Sequence, residues 1–392
     1  MHLHSKKGHD LQLNHCPRLD FKKIEPGKVI KLHPSDFTGI KPKLLVSEGD
    51  EVKKAQPIYY DKRNPDVMFT SYASGMVEKI IYGERRLVKS IDIQLDGNND
   101  EIVFNKHEAK EIRNLQKEMI LETLCKSGCW PSIRRRPFSK MAIPEILPKS
   151  IFITTQSTAP FAPSLQVIHD NINIHEVQAC IDALKVLTHS PMHMVIPKDG
   201  RFPLFNDLIE ISIHTFSGSH PSGNVGYHIS KIDPIENKET VVWYVSLQNA
   251  VMIGKLFLTG KLDDQKIISI GGCPQESVNK HLMINKGTLI SDIFTPEIVN
   301  MQYRIISGDI LSGVAIEKDQ AIGYFHESIS LIKNEFNRQF MGWLSPGINK
   351  YSISHSFISN LFSKRKQALS TAMNGDARTI VPIGLIEKMC LL

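Results

Sequence analysis

Two stretches between residues 44 and 84 restrict this chain more than any other feature. Leu44-Leu-Val-Ser-Glu-Gly-Asp-Glu-Val-Lys-Lys-Ala-Gln-Pro-Ile-Tyr59 and Ser71-Tyr-Ala-Ser-Gly-Met-Val-Glu-Lys-Ile-Ile-Tyr-Gly-Glu84 each join alternating apolar residues to a glycine turn, at Glu48-Gly49-Asp50 and at Ser74-Gly75. Alternation sends every second side chain to one face, and the glycines turn the strands back on themselves. Val46, Val52, Ile58, Val77 and Ile80 are expected to fill the small core between them. At 392 residues the whole chain exceeds what one hydrophobic core organises, so two to four domains are expected.

This first unit, residues 28–104, resembles the barrel-sandwich hybrid of biotinyl and lipoyl domains, in which two quasi-repeated sheets pack face to face. Such carriers present a modified lysine at a tight hairpin, and Lys62 in Asp61-Lys-Arg-Asn-Pro65 occupies that place. Its neighbours match neither the biotin nor the lipoyl motif, so the module reads as structural. A carrier function is the alternative, and intact mass would reveal it.

Beyond it the periodicity changes. Ile112, Leu115, Met119, Ile120 and Leu124 recur at helical spacing, and a Pro-rich link follows, which makes 105–150 a helix and linker. Residues 151–260 read as α/β. Strands are expected at Ile151–Thr155, Met192–Ile196, Ile211–Phe216 and Val241–Val245, with helices at about 175–188 and 247–259. Strands alternating with helices argue a Rossmann-like layered domain. Residues 261–315 open on a strand at Lys266–Gly272 and then follow a β-grasp pattern around the Gly287 turn. The C-terminal region, 316–392, mixes a strand near 328–333 with a helix at 355–373, and residues 1–27 form an N-terminal segment.

Several function classes are excluded or unsupported. No window of eighteen apolar residues free of charge exists, and the start lacks the apolar core of a secretory signal, so a cytoplasmic location is expected. A formal charge of +6 is mild, but basic residues cluster at Arg134-Arg135-Arg136 and Lys364-Arg365-Lys366. No zinc-finger or RNA-recognition signature points to nucleic acid. The six cysteines lack the Cys-x-x-Cys runs of metal and iron–sulfur sites and read as buried free thiols.

The absence of a Gly-x-Gly-x-x-Gly or Walker A sequence removes the usual cradle for a dinucleotide pyrophosphate. Ser269-Ile-Gly-Gly272 is the nearest candidate and reads as a plain turn. His214, His220 and His228 sit at spacings that match no known zinc pattern, so that stretch is expected to be an ordered loop at a sheet edge. Arg134, Arg135, Arg136, Pro137, Phe138 and Lys140 form the segment best suited to function. Arginine offers a forked donor to carboxylates, phosphates and quinone carbonyls, and Phe138 offers a ring beside it. No Ser/His/Asp or Cys/His arrangement emerges from spacing.

Taken together, a set of motifs resembles the A subunits of Na⁺-translocating NADH:quinone reductases. They are Lys6-Lys-Gly-His-Asp-Leu11, Val46-Ser-Glu-Gly-Asp-Glu-Val-Lys-Lys54, Asp61–Pro65, Arg136-Pro-Phe-Ser-Lys140, His214-Thr-Phe-Ser-Gly-Ser-His-Pro-Ser-Gly223, Ile253-Gly-Lys-Leu-Phe257, Arg304-Ile-Ile-Ser-Gly308, Gly342-Trp343 and Val381-Pro-Ile-Gly384. The resemblance implies an architecture similar to the flavin- and NADH-binding subunit of respiratory complex I, with a Rossmann-like domain and a β-grasp (SLBB-like) domain but without its flavin loop or cluster cysteines. It implies no cofactor on this chain; flavins, an iron–sulfur centre, NADH and ubiquinone belong to other subunits of the six-subunit translocase. The implied partners are those five subunits, chiefly the membrane B subunit, on the cytoplasmic face of the bacterial inner membrane. On that basis Arg134–Lys140 and Phe37, in the Pro34-Ser-Asp-Phe37 turn, are candidates for a quinone-proximal or subunit-contacting surface. Family members continue past the position of Leu392, so a shortened C-terminus is expected. The alternative is a self-sufficient flavin or NADH oxidoreductase on the same scaffold, which would need the missing phosphate-cradling loop.

Overall fold

A computed structural model of the chain describes residues 1–300 and 303–335, and beyond them 346–348, 358–362, 366, 368, 370 and 371. Gly342-Trp343, Val381–Gly384, Cys390, Lys364, Arg365 and most of the expected helix at 355–373 lie outside the described residues. The architecture is mixed α/β, and no helix among the described residues is long and apolar enough to cross a membrane.

The first unit is a pair of facing sheets. One runs in the order Val29–Leu32, Val88–Leu95, Gly75–Tyr82, Glu51–Val52, and the other Pro42–Leu44, Pro57–Asp61, Asn64–Thr70. Ile30 pairs with Ile93, Leu32 with Ile91, and Val77 with Ile93, so the alternation turns one apolar row inward. Val52, Ile58, Val77 and Ile80 are buried as expected, and the half-buried Val46 packs against them. Gly75 is obligatory, because a Cβ there would lie 2.0 Å from the Gln94 carbonyl oxygen. Lys62 tops the two-residue turn between Pro57–Asp61 and Asn64–Thr70.

The second unit is built on a seven-stranded sheet in the order His2–His4, Ser212–Ser217, Met192–Pro197, Ile151–Thr154, Val242–Ser246, Arg134–Arg136, Lys140–Met141. The first five are parallel and the last two antiparallel. The stretch expected to be mere linker thus contributes a hairpin. Chain order runs outward from Ile151–Thr154 through Met192–Pro197 to Ser212–Ser217, then reverses to Val242–Ser246 on the other side, which creates a topological switch point. The helical spacing from Ile112 to Leu124 is realised as a 3₁₀ turn, Ile112–Asn114, followed by the helix Lys117–Lys126.

Helices Ile174–Thr188 and Leu247–Thr259 begin where side chains cap them: Asn173 accepts from His175 N, and Ser246 from Asn249 N. Gly260 ends the second in the left-handed region. The two helices meet at Gly254, where a Cβ would fall 1.6 Å from the Glu176 carbonyl oxygen.

The third unit is a six-stranded sheet ordered Val314–Ile316, Tyr303–Ser307, Ser328–Lys333, Gln265–Gly271, His281–Asn285, Phe21–Lys23. Ile268, Ile270, Leu282, Ile284, Ile329 and Leu331 form its separate core. The N-terminal segment is therefore a strap. It adds His2–His4 to the edge of the second unit's sheet and Phe21–Lys23 to the edge of the third's before entering the first.

Candidate functional site

The three units converge on one cleft. Its wide outer part, about 530 Å³, is lined by Ser35, Asp36 and Thr38 of the first unit, Ser157 and Ala159 of the second, and Asp309, Ser312 and Gly323–Ser328 of the third. A recess of about 170 Å³ runs inward past Arg134 to Ser132, Thr154, Ser246, Asn249 and Lys266. Thr154 and Ser246 end the two strands that flank the switch point, the place where open α/β sheets receive ligands.

Arg134 dominates the cleft. Its guanidinium lies 4.4 Å from the Phe325 ring and 5.4 Å from the Tyr244 ring, and its Nη2 donates to the Ser139 carbonyl at 3.0 Å. Burial and the nearby Arg136 push its pKa down. Opposite it, segment 323–327 is held from every side. The Tyr324 N–H donates to Asp36 Oδ2 at 2.8 Å, and Phe37 packs on Tyr324 and Phe325 at 4.9 and 5.5 Å. His326 Nδ1 bonds Ser307 Oγ at 2.8 Å.

Two buried lysines anchor that segment. Lys266 is 6% exposed and donates to the carbonyls of Gly323 and His326 at 2.8 and 3.1 Å. Burial and the neighbouring Lys286 bring its pKa down to about 7. Lys286 meets the Tyr324 hydroxyl at 3.2 Å and Met252 Sδ at 2.9 Å, and burial brings its pKa down to about 8. Glu327 lies with Lys266 at the recess, and burial raises its pKa. Sequence reasoning missed Lys266, Lys286, Tyr324 and Glu327. The available signals were a lysine opening the apolar run Lys266-Ile-Ile and the dense Tyr324-Phe-His-Glu327 cluster.

The candidates named from sequence divide. Arg134 lines the cleft, whereas Phe138 is 75% exposed at the hairpin tip, with Pro137 and Lys140 beside it. Arg135 and Arg136 are half-buried, and Arg136 lies 5.5 Å from the Tyr244 ring. The hairpin base is rigid: Trp130, fully buried, packs edge-on against Trp243 and donates to the Ala142 carbonyl at 2.9 Å. Phe37 is in the core between units, not on a surface.

The histidines also separate. His214 hydrogen-bonds His193 at 3.2 Å, and His228, on the buried side of helix Val225–Ile232, packs on Phe216. Burial pushes both His214 and His228 down to about 4. His220 lies elsewhere, bonded to Thr158 Oγ1 at 3.1 Å, and its N–H donates to Asp10 Oδ1 at 2.8 Å. The loop at 217–223 is thus gripped by the strap, and two motifs some two hundred residues apart meet. Among the described residues no group of three or more His, Cys, Asp or Glu is arranged to hold a metal. The buried thiols are inert; burial raises Cys125 to about 12 and Cys129 to about 11.

Comparison with known proteins agrees with this organisation. Residues 3–96 match the model of the NqrA N-terminal barrel-sandwich hybrid domain, and residues 115–262 that of the NqrA second alpha/beta domain. A solved chain of an NAD⁺-reducing [NiFe]-hydrogenase aligns with 58% of this chain and 49% of its own at 8% identity and a TM-score of 0.36, too low to define a common fold. The A subunit of the Na⁺-translocating NADH-quinone reductase of Marinomonas sp. (strain MWYL1) is 35% identical over 389 residues, 98% of this chain and 85% of its own. Its counterpart from Yersinia pseudotuberculosis serotype I (strain IP32953) is 35% identical over 391 residues with the same coverage. Identity at this level along nearly the whole length places the chain in the family of Na⁺-translocating NADH-quinone reductase A subunits.

Proposed function

We propose that this chain is a peripheral, cofactor-free subunit of a six-subunit Na⁺-translocating NADH:quinone reductase. It sits on the cytoplasmic face of the bacterial inner membrane, and it docks on the membrane B subunit through the hairpin Arg134–Met141, supporting assembly and the quinone-reducing step. In that complex NADH oxidation, flavin and iron–sulfur chemistry and Na⁺ passage belong to other subunits, and this chain alone is not catalytic. The Rossmann-like reading of the second unit rests on its parallel strands and switch point. The SLBB-like reading of the third rests on its strand, turn and short helix at 281–293.

The observation that carries the docking role is the hairpin itself. Phe138 stands out from a base fixed by Trp130, flanked by Arg135, Arg136 and Lys140, with no acidic residue between Glu122 and Glu145. An exposed aromatic ringed by cations is an anchor for an acidic, partly apolar partner surface. The test is complementation of a bacterium lacking its own A subunit, with Na⁺-stimulated NADH:quinone reductase measured in washed membranes. The wild-type chain restores activity and stays on the membranes. Arg136→Glu with Phe138→Asp lowers both by about tenfold or more, while Lys62→Gln leaves both intact. Normal retention and activity in the double variant would remove the hairpin from the interface.

A further inference from the structure

One end of the first unit gathers cations that find no partner within it. The connection from His33 to Lys41 ties its parts together. His33 Nδ1 donates to the Lys89 carbonyl at 3.2 Å, near the tip of the hairpin formed by Gly75–Tyr82 and Val88–Leu95. The Gly39 carbonyl accepts from Arg63 Nη1 at 2.6 Å, and a Cβ on Gly39 would lie 3.4 Å from Lys140 Cε. The turn at 61–64 and the hairpin Arg134–Met141 therefore border the same connection.

Lys41, Lys62, Arg63, Arg85, Arg86 and Lys89 are all exposed at this end. Among the described residues none of them is in an ion pair. Asp61, in the midst of them, is turned inward: it is 2% exposed and accepts the N–H groups of Lys41 and Arg63 at 2.8 and 3.1 Å. It fixes two turns without neutralising the side chains they present.

The tip of the 75–95 hairpin supplies an apolar part. Tyr82 and Val88 are its last pair, and there Tyr82 is 54% and Leu87 64% exposed. Arg85 and Arg86 have φ of 54° and 57°, the left-handed region where glycine is at ease and a side chain is strained. The tip thus holds two guanidinium groups where its backbone favours glycine. An amphipathic ring and a leucine among cations suit the boundary of a bilayer, with tyrosine at headgroup level and arginine reaching the phosphates. A folded partner would need a carboxylate opposite each of these scattered charges, whereas lipid headgroups move to meet them.

We infer that this end of the first unit lies on the anionic headgroup surface of the membrane, with Tyr82 and Leu87 at the interface and the six cations on lipid phosphates. The inference rests on the reading that the chain is a peripheral subunit at the membrane, and it adds a lipid contact beside the protein contact of the hairpin Arg134–Met141. Six cations share the contact, so the loss of one, as in Lys62→Gln, changes little.

Sedimentation of the full chain with protein-free lipid vesicles tests the contact apart from docking on the B subunit. The chain sediments with vesicles of phosphatidylglycerol and phosphatidylcholine in equal parts, not with phosphatidylcholine alone, and added salt releases it. Arg85→Gly with Arg86→Gly removes two cations while easing the backbone. That variant melts no lower than the wild type and binds at least about tenfold more weakly. Leu87→Ser weakens binding several-fold. Lys6→Gln with Lys198→Gln, toward the opposite edge of the second unit's sheet, removes the same charge and binds as the wild type does. The assignment fails if the wild-type chain ignores phosphatidylglycerol, if it binds phosphatidylcholine equally, or if the glycine pair leaves binding unchanged. It fails too if polyglutamate is bound as tightly as the vesicles, which would make this a surface for an acidic polypeptide. Vesicle binding together with normal complementation by the hairpin variant would remove the hairpin docking and leave the lipid contact standing.

Discussion

At the scale of single residues, the buried titratable groups give the molecule a defined acid limit. His214, on strand Ser212–Ser217, and His228, on the buried side of helix Val225–Ile232, have pKa values brought from 6.5 down to about 4 by burial. Between those values the unfolded chain binds more protons than the folded one, so stability falls as pH drops from about 6.5 toward 4. The melting temperature followed across that window should decline, and a His214→Gln, His228→Gln chain should show a flatter decline. An identical slope in the double variant would mean that other groups set the acid limit. Arg134 was legible in the sequence because three consecutive arginines beside an aromatic are unusual in a linker. Phe37, named through the resemblance as a candidate for a quinone-proximal or subunit-contacting surface, is buried by the packing of Phe69, Tyr324 and Phe325 around its ring, contacts that no local sequence pattern marks.

At the scale of elements, helix packing is decided by a glycine whose role differs from that of its neighbours. Gly254 permits helices Ile174–Thr188 and Leu247–Thr259 to touch backbone to backbone, so Gly254→Ala should destabilise the fold by about 2 kcal/mol or more through forced separation. Gly226, inside helix Val225–Ile232, has open space around it, and Gly226→Ala should stabilise by about 0.5–1 kcal/mol through helix propensity. Urea unfolding of both variants checks the pair; equal signs would contradict this packing. Both long helices of the second unit were readable from apolar spacing, because each carries a regular buried stripe. Hairpin Arg134–Met141 was not. Its strands have three and two residues, too short for any period, and its pairing is set by Val242, Trp243 and Tyr244, about a hundred residues later.

At the scale of the whole molecule, closure depends on the strap and on segment 323–327. Leu3 is 3% exposed and pairs with Phe216, so Leu3→Asp would bury a carboxylate in the core under helix Val225–Ile232. That variant should release the N-terminal segment while leaving the first unit folded, seen as early protease cleavage before residue 27 and loss of exchange protection at 217–223. Unchanged protection there would show that the strap does not hold the loop. A change of periodicity separated the first β stretch from the α/β stretch, but the third sheet was not bounded by it: Ser328–Lys333, read as part of the C-terminal region, pairs with both Gln265–Gly271 and Tyr303–Ser307, and Phe21–Lys23 closes its edge. The meeting of the three units at one cleft was not legible either, because contacts such as Asp36 to Tyr324 span 288 residues and leave no local trace.

The strap also dictates the order of events on the ribosome. Residues 2–4 and 21–23 leave the exit tunnel ahead of everything they pair with, yet their partners are Thr215–Ser217 and His281–Met283. Both segments must therefore wait for these partners through the synthesis of more than two hundred further residues. Once residues through Gly260 have left the tunnel, the second unit's sheet can form with its edge closed by His2–His4, while the partner of Phe21–Lys23 at His281–Met283 has yet to emerge. During that interval the backbone groups of Phe21–Lys23 that later pair with His281–Met283 have no strand to pair with.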